Sequence, residues 1–427
     1  MSRLGRIKML RPLRLRDFAL LWAGMTVSLL GDGMYYVAIA WQVLELDNRP
    51  TAMSFVGIAW VVPQLVLMVF GGVLTDRIER RRMMMAADLI RAAAVGAIGV
   101  LAVMGALQLW HVLALVVLFA IGDAVFWPAF TAIVPEIVPA AELVQANSLD
   151  YFIRPATRLV GPALGGLVVA TVGPGTAFLA DAGSFLVSFA ALLAVSARPM
   201  SKSEQARSAL RDIREGFAFV RRETWLWGTL LMAAFGNFTT SALFVLVPYV
   251  VKTELRGSAG EYGLIATFGA VGGLAGSLVL GQLGLPRRHI VLMFASWAVG
   301  VACIAGYGIA NAVPQMWVFA AVSGAGMSVG SVVWGTLMHS LVPKELLGRV
   351  SAFDWTVSLA LTPVGYAVLG PLGEAIGASR TLVLCGVIGG ALHVLFLALP
   401  GIRGPEGDER VVTAARAAAQ ASPNASR

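Results

Sequence analysis

The chain has 427 residues, 58% of them hydrophobic and 13% charged, with a mean hydropathy of +0.79 and a formal net charge of +8. Soluble globular chains average about 45–50% apolar and about 25% charged residues, so the composition excludes a soluble domain and describes a polytopic membrane protein. Both cysteines, Cys303 and Cys385, fall in apolar segments and are read as packing residues, not as a disulfide.

An apolar run of about 20 residues crosses the hydrocarbon core as a helix. Taken in order, the predicted spans are 18–46, 52–75, 83–107, 110–134, 146–172, 176–196, 224–251, 259–285, 289–311, 315–341, 350–376 and 380–401. The parse is a basic segment at 1–17, a six-span bundle at 18–196, a linker at 197–223, a second six-span bundle at 224–401 and a polar tail at 402–427. The first run begins near Phe18 and is long enough to stay as an anchor, so no cleavable signal segment is expected.

The basic residues fall on one side. Of the 32 Lys and Arg, 25 lie in the first segment, the loops after spans 2, 8 and 10, the linker and the tail; four lie on the opposite side. Short basic loops stay in the cytosol, which places both termini there, in a multi-pass protein of the cell membrane. The positive charge is therefore topology and membrane-surface charge, and no nucleic-acid partner is expected.

The halves repeat. Val138-Pro139 to Asp150 aligns with Val342-Pro343 to Asp354 at an offset of 204, which also pairs Gly122 with Gly326, Gly161 with Gly365 and Gly166 with Gly370. At an offset of 205, Leu21-Trp22 and Gly31 fall opposite Leu226-Trp227 and Gly236. Two similar six-span bundles joined by a basic linker imply parallel repeats related by an axis along the membrane normal, with a solute site near the midplane.

Between spans 2 and 3 the chain reads Gly72-x-Leu74-x-Asp76-Arg77-x-x-Arg80-Arg81, and span 5 carries Gly161-Pro162-Ala163-Leu164-Gly165-Gly166. The first run resembles the loop 2–3 signature of the major facilitator superfamily; the second resembles the Gly-Pro motif of its proton-coupled exporters. The resemblance spans about residues 10–402 and is nearest the branch of enterobactin, macrolide and multidrug exporters. The chain departs from it at Glu79 and Thr157, where the family has Gly, in the absence of charge from Leu113 to Phe119, and at Gly281 to Arg288, where the second copy of the loop lacks its acid. The resemblance implies an all-α fold of twelve transmembrane helices in two six-helix bundles. It also implies that Gly72, Asp76, Arg77, Arg80 and Arg81 form a conformational latch, with Asp76 docked on the N-terminus of span 11 near Arg349 to Ser351. An acid is favoured beside a helix N-terminus. The bland reading is a solvated loop whose arginines set topology.

Ionisable groups at membrane depth are costly and are candidate functional groups. The first half holds Asp32, Asp88, Arg91, Asp123, Asp150, Arg154, Arg158 and Asp181; the second holds Asp354, His339 and His393. At about 1.5 Å per residue, Asp32 and Arg158 lie roughly 21 and 18 Å from the inner face, while Arg154 sits near the level of Asp123. Two ion pairs are expected, Asp32–Arg158 and Asp123–Arg154, with Asp32 exchanging a proton. Burial and a neighbouring arginine act on a carboxyl in opposite senses, so opening and closing toggle its protonation. The alternative is a static buried ion-pair network, favoured for Asp123. Asp88 and Arg91 are read as a structural pair about one turn inside span 3, and Asp181 as a cap or hydrogen-bonding group near the outer end of span 6.

Gly161, Pro162, Gly165 and Gly166 on span 5, and Gly269, Gly272, Gly273 and Gly276 on span 8, make smooth faces for close helix packing. The resemblance implies that they meet and seal an outer gate. Candidate cavity residues are Tyr35, Tyr36, Phe126, Trp127, Asn237, Phe238 and Trp334, which can stack on apolar solutes. The second half offers almost no fixed charge, so the solute is expected to be amphiphilic and partly apolar.

No Gly-x-x-x-x-Gly-Lys-Ser/Thr run, metal-ligand cluster or nucleophile elbow occurs. An enzyme and an ATP-driven pump are thereby disfavoured. The reading is proton-coupled efflux of a small amphiphilic solute by a membrane monomer that uses the proton gradient and no cofactor. An uptake carrier of the same fold, or a non-transporting sensor or scaffold, is the alternative.

Overall fold

The computed structural model describes residues 8–75, 79–196 and 209–408. Among them there is no strand. A short 3-10 helix at Lys8–Arg14 precedes α1 (Arg16–Leu46), α2 (Pro50–Thr75), α3 (Arg80–Val103), α4 (Leu109–Ile137), α5 (Leu143–Val172) and α6 (Pro174–Ala194). Then come α7 (Ala209–Arg222), α8 (Thr224–Tyr249), α9 (Ala259–Leu283), α10 (His289–Ile309), α11 (Val313–Leu341), α12 (Lys344–Leu359), α13 (Thr362–Ile376) and α14 (Ala378–Leu397). Twelve helical segments are long and apolar enough to cross a bilayer, as the run lengths predict.

Three features refine the predicted spans. The linker carries α7, whose last turn holds Arg221 and Arg222. Span 11 begins at Lys344, six residues before the expected start, and is broken between α12 and α13. Pro363, in the first turn of α13, has no N–H to carry the α12 ladder onward. Span 7 ends beyond Pro248 in a π-helical turn at Val250–Glu254.

The chain divides into two compact units: Met1–Glu204 with Val251–Thr267, and Gln205–Val250 with Phe268–Arg427. The first unit thus takes in the start of α9. Within it, α1 packs on α5 and α6, α3 on α4 and α6, and α2 on α4. Within the second, α8 packs on α13 and α14, and α10 on α11 and α14. Four of these pairs match across the units, so the repeat in sequence is a repeat in helix packing. Gly173 and Gly377, 204 positions apart, close the turns into α6 and α14 with φ of +89° and +100°. Side chains rarely tolerate that backbone, and glycine does so freely.

Each unit has its own apolar core. Phe18, Met25, Met84, Phe126 and Phe130 anchor the first; Trp225, Leu226, Phe294, Trp297 and Leu337 anchor the second.

Candidate functional site

The charged centre of the first unit is Arg91. It lies 11 residues into α3, about 16 Å along the helix, because α3 begins at Arg80 and not at 83. It is therefore deeper than the single turn the sequence suggested. Arg91 is 1% exposed and donates Nη2–H to Asp88 Oδ1 at 2.5 Å, with Asp88 0% exposed. Its Nη1 lies 3.5 Å from Asp123 Oδ1 on α4. Its guanidinium sits over the rings of Phe126 (4.1 Å) and Phe185 (4.5 Å), whose negative faces favour a cation.

Two further carboxyls feel the same guanidinium. Asp32 on α1 and Asp181 on α6 interact electrostatically with Arg91 and with each other. Asp181 is fully buried, and Ser184 Oγ donates to its Oδ1 at 3.2 Å. The contact of α6 with α1 is close: a Cβ on Gly31 would lie 2.2 Å from Asp181 Oδ1. Only glycine beside Asp32 lets Asp181 approach. Asp32 Oδ1, Asp88 Oδ2, Arg91 Nε and Asp181 Oδ2 are buried without a hydrogen-bond partner among the described residues. Asp123 is better served, accepting from Gln64 Nε2 at 3.0 Å and Trp127 Nε1 at 3.2 Å.

The pairing differs from the expected one. Arg154 donates Nε–H to Asp150 Oδ2 at 3.0 Å, one helical turn back on α5, and its guanidinium covers the ring of Trp127 at 4.1 Å. An acid at i−4 on the same helix reaches it before Asp123 does. Arg158 is exposed and has no ion pair among the described residues, so the expected Asp32–Arg158 pair is not formed, and the charge that acts on Asp32 is that of Arg91. Asp181 does not cap a helix; it accepts a hydrogen bond from Ser184, as the other reading has it, and its charge acts within the Arg91 cluster. The signal for it was the glycine next to Asp32, which the charge inventory did not weigh.

In the loop motif, Asp76 and Arg77 lie outside the described residues, and Gly72 falls within α2. Arg80 pairs with Glu136 near the end of α4. Arg81 donates to Leu192 O (2.8 Å) and Leu193 O (3.0 Å), where the last carbonyls of α6 lack helical partners. These arginines therefore bind three helix ends together. Arg349 to Ser351 is not a helix N-terminus, since α12 starts at Lys344; Arg349 pairs with Glu215 of α7, beside the edge-to-face rings of Phe217 and Phe353.

Within each unit the glycines admit close helix packing. A Cβ on Gly161 would meet Gly33 Cα at 2.9 Å, and one on Gly165 would meet Met34 Cα at 2.6 Å, so both pack on α1. A Cβ on Gly166 would meet Gly260 Cα at 2.9 Å and one on Gly263 would meet Pro162 O at 2.3 Å, and Thr267 Oγ1 donates to Leu159 O at 2.9 Å. The start of α9 thus lies on α5 within the first unit. Gly272 and Gly276 pack instead on Ala321 and Ala325 of α11, whose own small residues admit that approach.

Among the aromatic candidates, Phe126 (2% exposed) and Tyr35 (5%) are core residues: Phe126 lies under Arg91, and Tyr35 stacks on Phe119 at 4.8 Å. Tyr36 stacks on Tyr262 at 6.1 Å. Trp127 is half-buried above Asp123, and Phe238 is half-buried on α8. In the second unit Trp334 Nε1 donates to Asp354 Oδ2 at 3.0 Å, and Asn237 Nδ2 donates to Ser358 O at 2.9 Å. Trp334 and Asn237, from separate spans, therefore converge on α12.

The family model described as transmembrane secretion effector matches residues 7–420. Macrolide efflux protein A of Streptococcus pyogenes is 24% identical over 379 residues, covering 87% of this chain and 93% of that protein. Multidrug efflux pump Tap of Mycolicibacterium fortuitum is 28% identical over 407 residues, covering 92% and 96%. Among solved structures, a bacterial homologue of the iron transporter ferroportin in an inward-facing state aligns with a TM-score of 0.68 at 18% identity, over 90% of this chain and 99% of that one. The nucleoside transporter NupG aligns at 0.69 and 12% identity, over 89% and 98%.

Proposed function

Because the chain belongs to the transmembrane secretion effector family of major facilitator transporters, we propose that it exports small amphiphilic molecules in exchange for protons. It is a multi-pass membrane transporter, not an enzyme, and its relatives include efflux pumps.

The observation that carries proton coupling is the cluster in the first unit. Four carboxyls, on α1, α3, α4 and α6, share one guanidinium. Were all ionised, three negative charges would lack a countercharge inside the membrane, at a cost of several kcal/mol per ion. Holding protons removes that cost, and access to one side or the other lets the protons leave. Asp32 is the proposed exchanging group. It has a buried oxygen without a partner and lies outside the direct Arg91 hydrogen bond that fixes Asp88. The cycle is alternating access by a monomer, with both termini in the cytosol as the 25-to-4 charge bias requires. The proton gradient is its only energy source.

Inverted membrane vesicles acidified inside should accumulate a macrolide or ethidium severalfold over vesicles lacking the protein, and a protonophore should abolish the difference. Equal accumulation with and without the protein, or a gradient that drives solute out of inverted vesicles, would replace export with a scaffold or an uptake carrier respectively.

A further inference from the structure

The repeat exposes a difference between the units. In the first, Asp150 holds Arg154 at 3.0 Å, and the guanidinium lies over Trp127 (4.1 Å) with Phe130 at 5.9 Å. The motif is an acid, a cation and aromatic rings. Moving 204 positions along, Asp150 becomes Asp354 and Phe130 becomes Trp334, so the acid and a ring are kept. Arg154 becomes Ser358 and Trp127 becomes Ser331, so the cation and the second ring are lost.

The remaining groups are in contact. Trp334 Nε1 donates to Asp354 Oδ2 at 3.0 Å, and Ser358 Oγ donates to Oδ1 at 2.9 Å. No ion pair to Asp354 occurs among the described residues, and its interactions are those two hydrogen bonds. Asp354 and Trp334 are both half-buried, so the carboxylate keeps an open side. Asp354 lies about 15 Å along α12 from Lys344, at membrane depth, where a carboxylate without a countercharge is costly. Asn237 of α8 braces the site by donating to Ser358 O just before the α12–α13 break.

We propose that Asp354 and Trp334 form a subsite for a cationic group of the transported molecule, an organic ammonium or phosphonium that takes the place Arg154 fills in the first unit. Aromatic faces and a carboxylate together select a poorly hydrated cation over a strongly hydrated one. The second unit thereby contributes charge recognition, where composition had suggested apolar contact alone. This subsite rests on the export reading for its role, and the test below reads it without transport.

Binding of tetraphenylphosphonium and of neutral phenylnaphthylamine would be measured on the full-length protein in lipid nanodiscs. The wild type should bind both. Asp354→Asn should weaken the phosphonium about tenfold or more and leave the neutral probe unchanged, while Asp354→Glu retains both. Ser358→Arg, which supplies a guanidinium at the position of Arg154, should also exclude the phosphonium and spare the neutral probe. Unaltered phosphonium binding in Asp354→Asn overturns the proposal. So does a wild type that does not bind the phosphonium, or loss of both probes together in the variants. Asp354-dependent binding without pH-driven flux would sink the export reading and keep the subsite; pH-driven flux without an Asp354 effect on binding would do the reverse.

Discussion

Replacing Arg91 with Leu is expected to leave little folded protein in the membrane. The side chain is 1% exposed, holds Asp88, lies 3.5 Å from Asp123, and acts electrostatically on Asp32 and Asp181. Removing one partner of a buried pair costs about 3–5 kcal/mol, because the remaining charge is stranded. Here four acids would lose the base they share, and two rings their cation. Thermal unfolding of the purified variant should show a much lower midpoint than the wild type. Removing Asp88 together with Arg91, as Asp88→Asn with Arg91→Gln, should cost less than Arg91→Leu alone, since residues in contact do not act additively. Equal stability of Arg91→Leu and the wild type would show that the carboxyls are not held by this base.

Gly33→Val is expected to have the second large effect. A Cβ there would lie 2.6 Å from Gly161 Cα and 2.8 Å from Gly161 C. Both atoms are backbone, so no side chain can swing aside, and α1 and α5 must separate. Overpacking of this kind costs typically about 1–3 kcal/mol. The displaced α1 also carries Asp32, so transport should fall further than stability alone explains. Gly183→Val is the matched control, because a Cβ at Gly183 has nothing within 4 Å. Thermal midpoints and probe flux for the two variants check the contrast.

Much of the fold was legible because membrane helices must be long and apolar, and because the two halves repeat. The run lengths located the spans to within a few residues, and the turns at Gly173 and Gly377 obey the same offset of 204. The break between Leu359 and Thr362 is only half legible: Pro363 cannot continue a helical ladder, but the early start at Lys344 lies in a polar stretch that hydropathy discards. The amphipathic α7 was hidden for the same reason, inside a charged linker.

The candidate site was legible as an inventory and not as an arrangement. Every charge in the cluster was visible, including the Asp88–Arg91 spacing. Which helices turn their acids toward Arg91 depends on rotation and depth, and a shift of three residues at the start of α3 moves Arg91 about 4.5 Å. Local rules decided against the expected Asp123–Arg154 pair, since Asp150 sits one turn from Arg154. Asp181 was misjudged because its neighbour in space, Gly31, is 150 residues away in sequence.

The account stands or falls on whether Asp32 couples solute movement to protons. Purified Asp32→Asn would be placed in liposomes, and two rates compared with the wild type: accumulation of a macrolide driven by an imposed pH gradient, and exchange of labelled for unlabelled macrolide with no gradient. Retained exchange with loss of gradient-driven accumulation, by about tenfold or more, is the expected result; general acid–base groups contribute on the order of that much or more to a proton-transfer step. Gradient-driven accumulation equal to that of the wild type would remove Asp32 from the mechanism, and with it the reading of the four-carboxyl cluster as the coupling site.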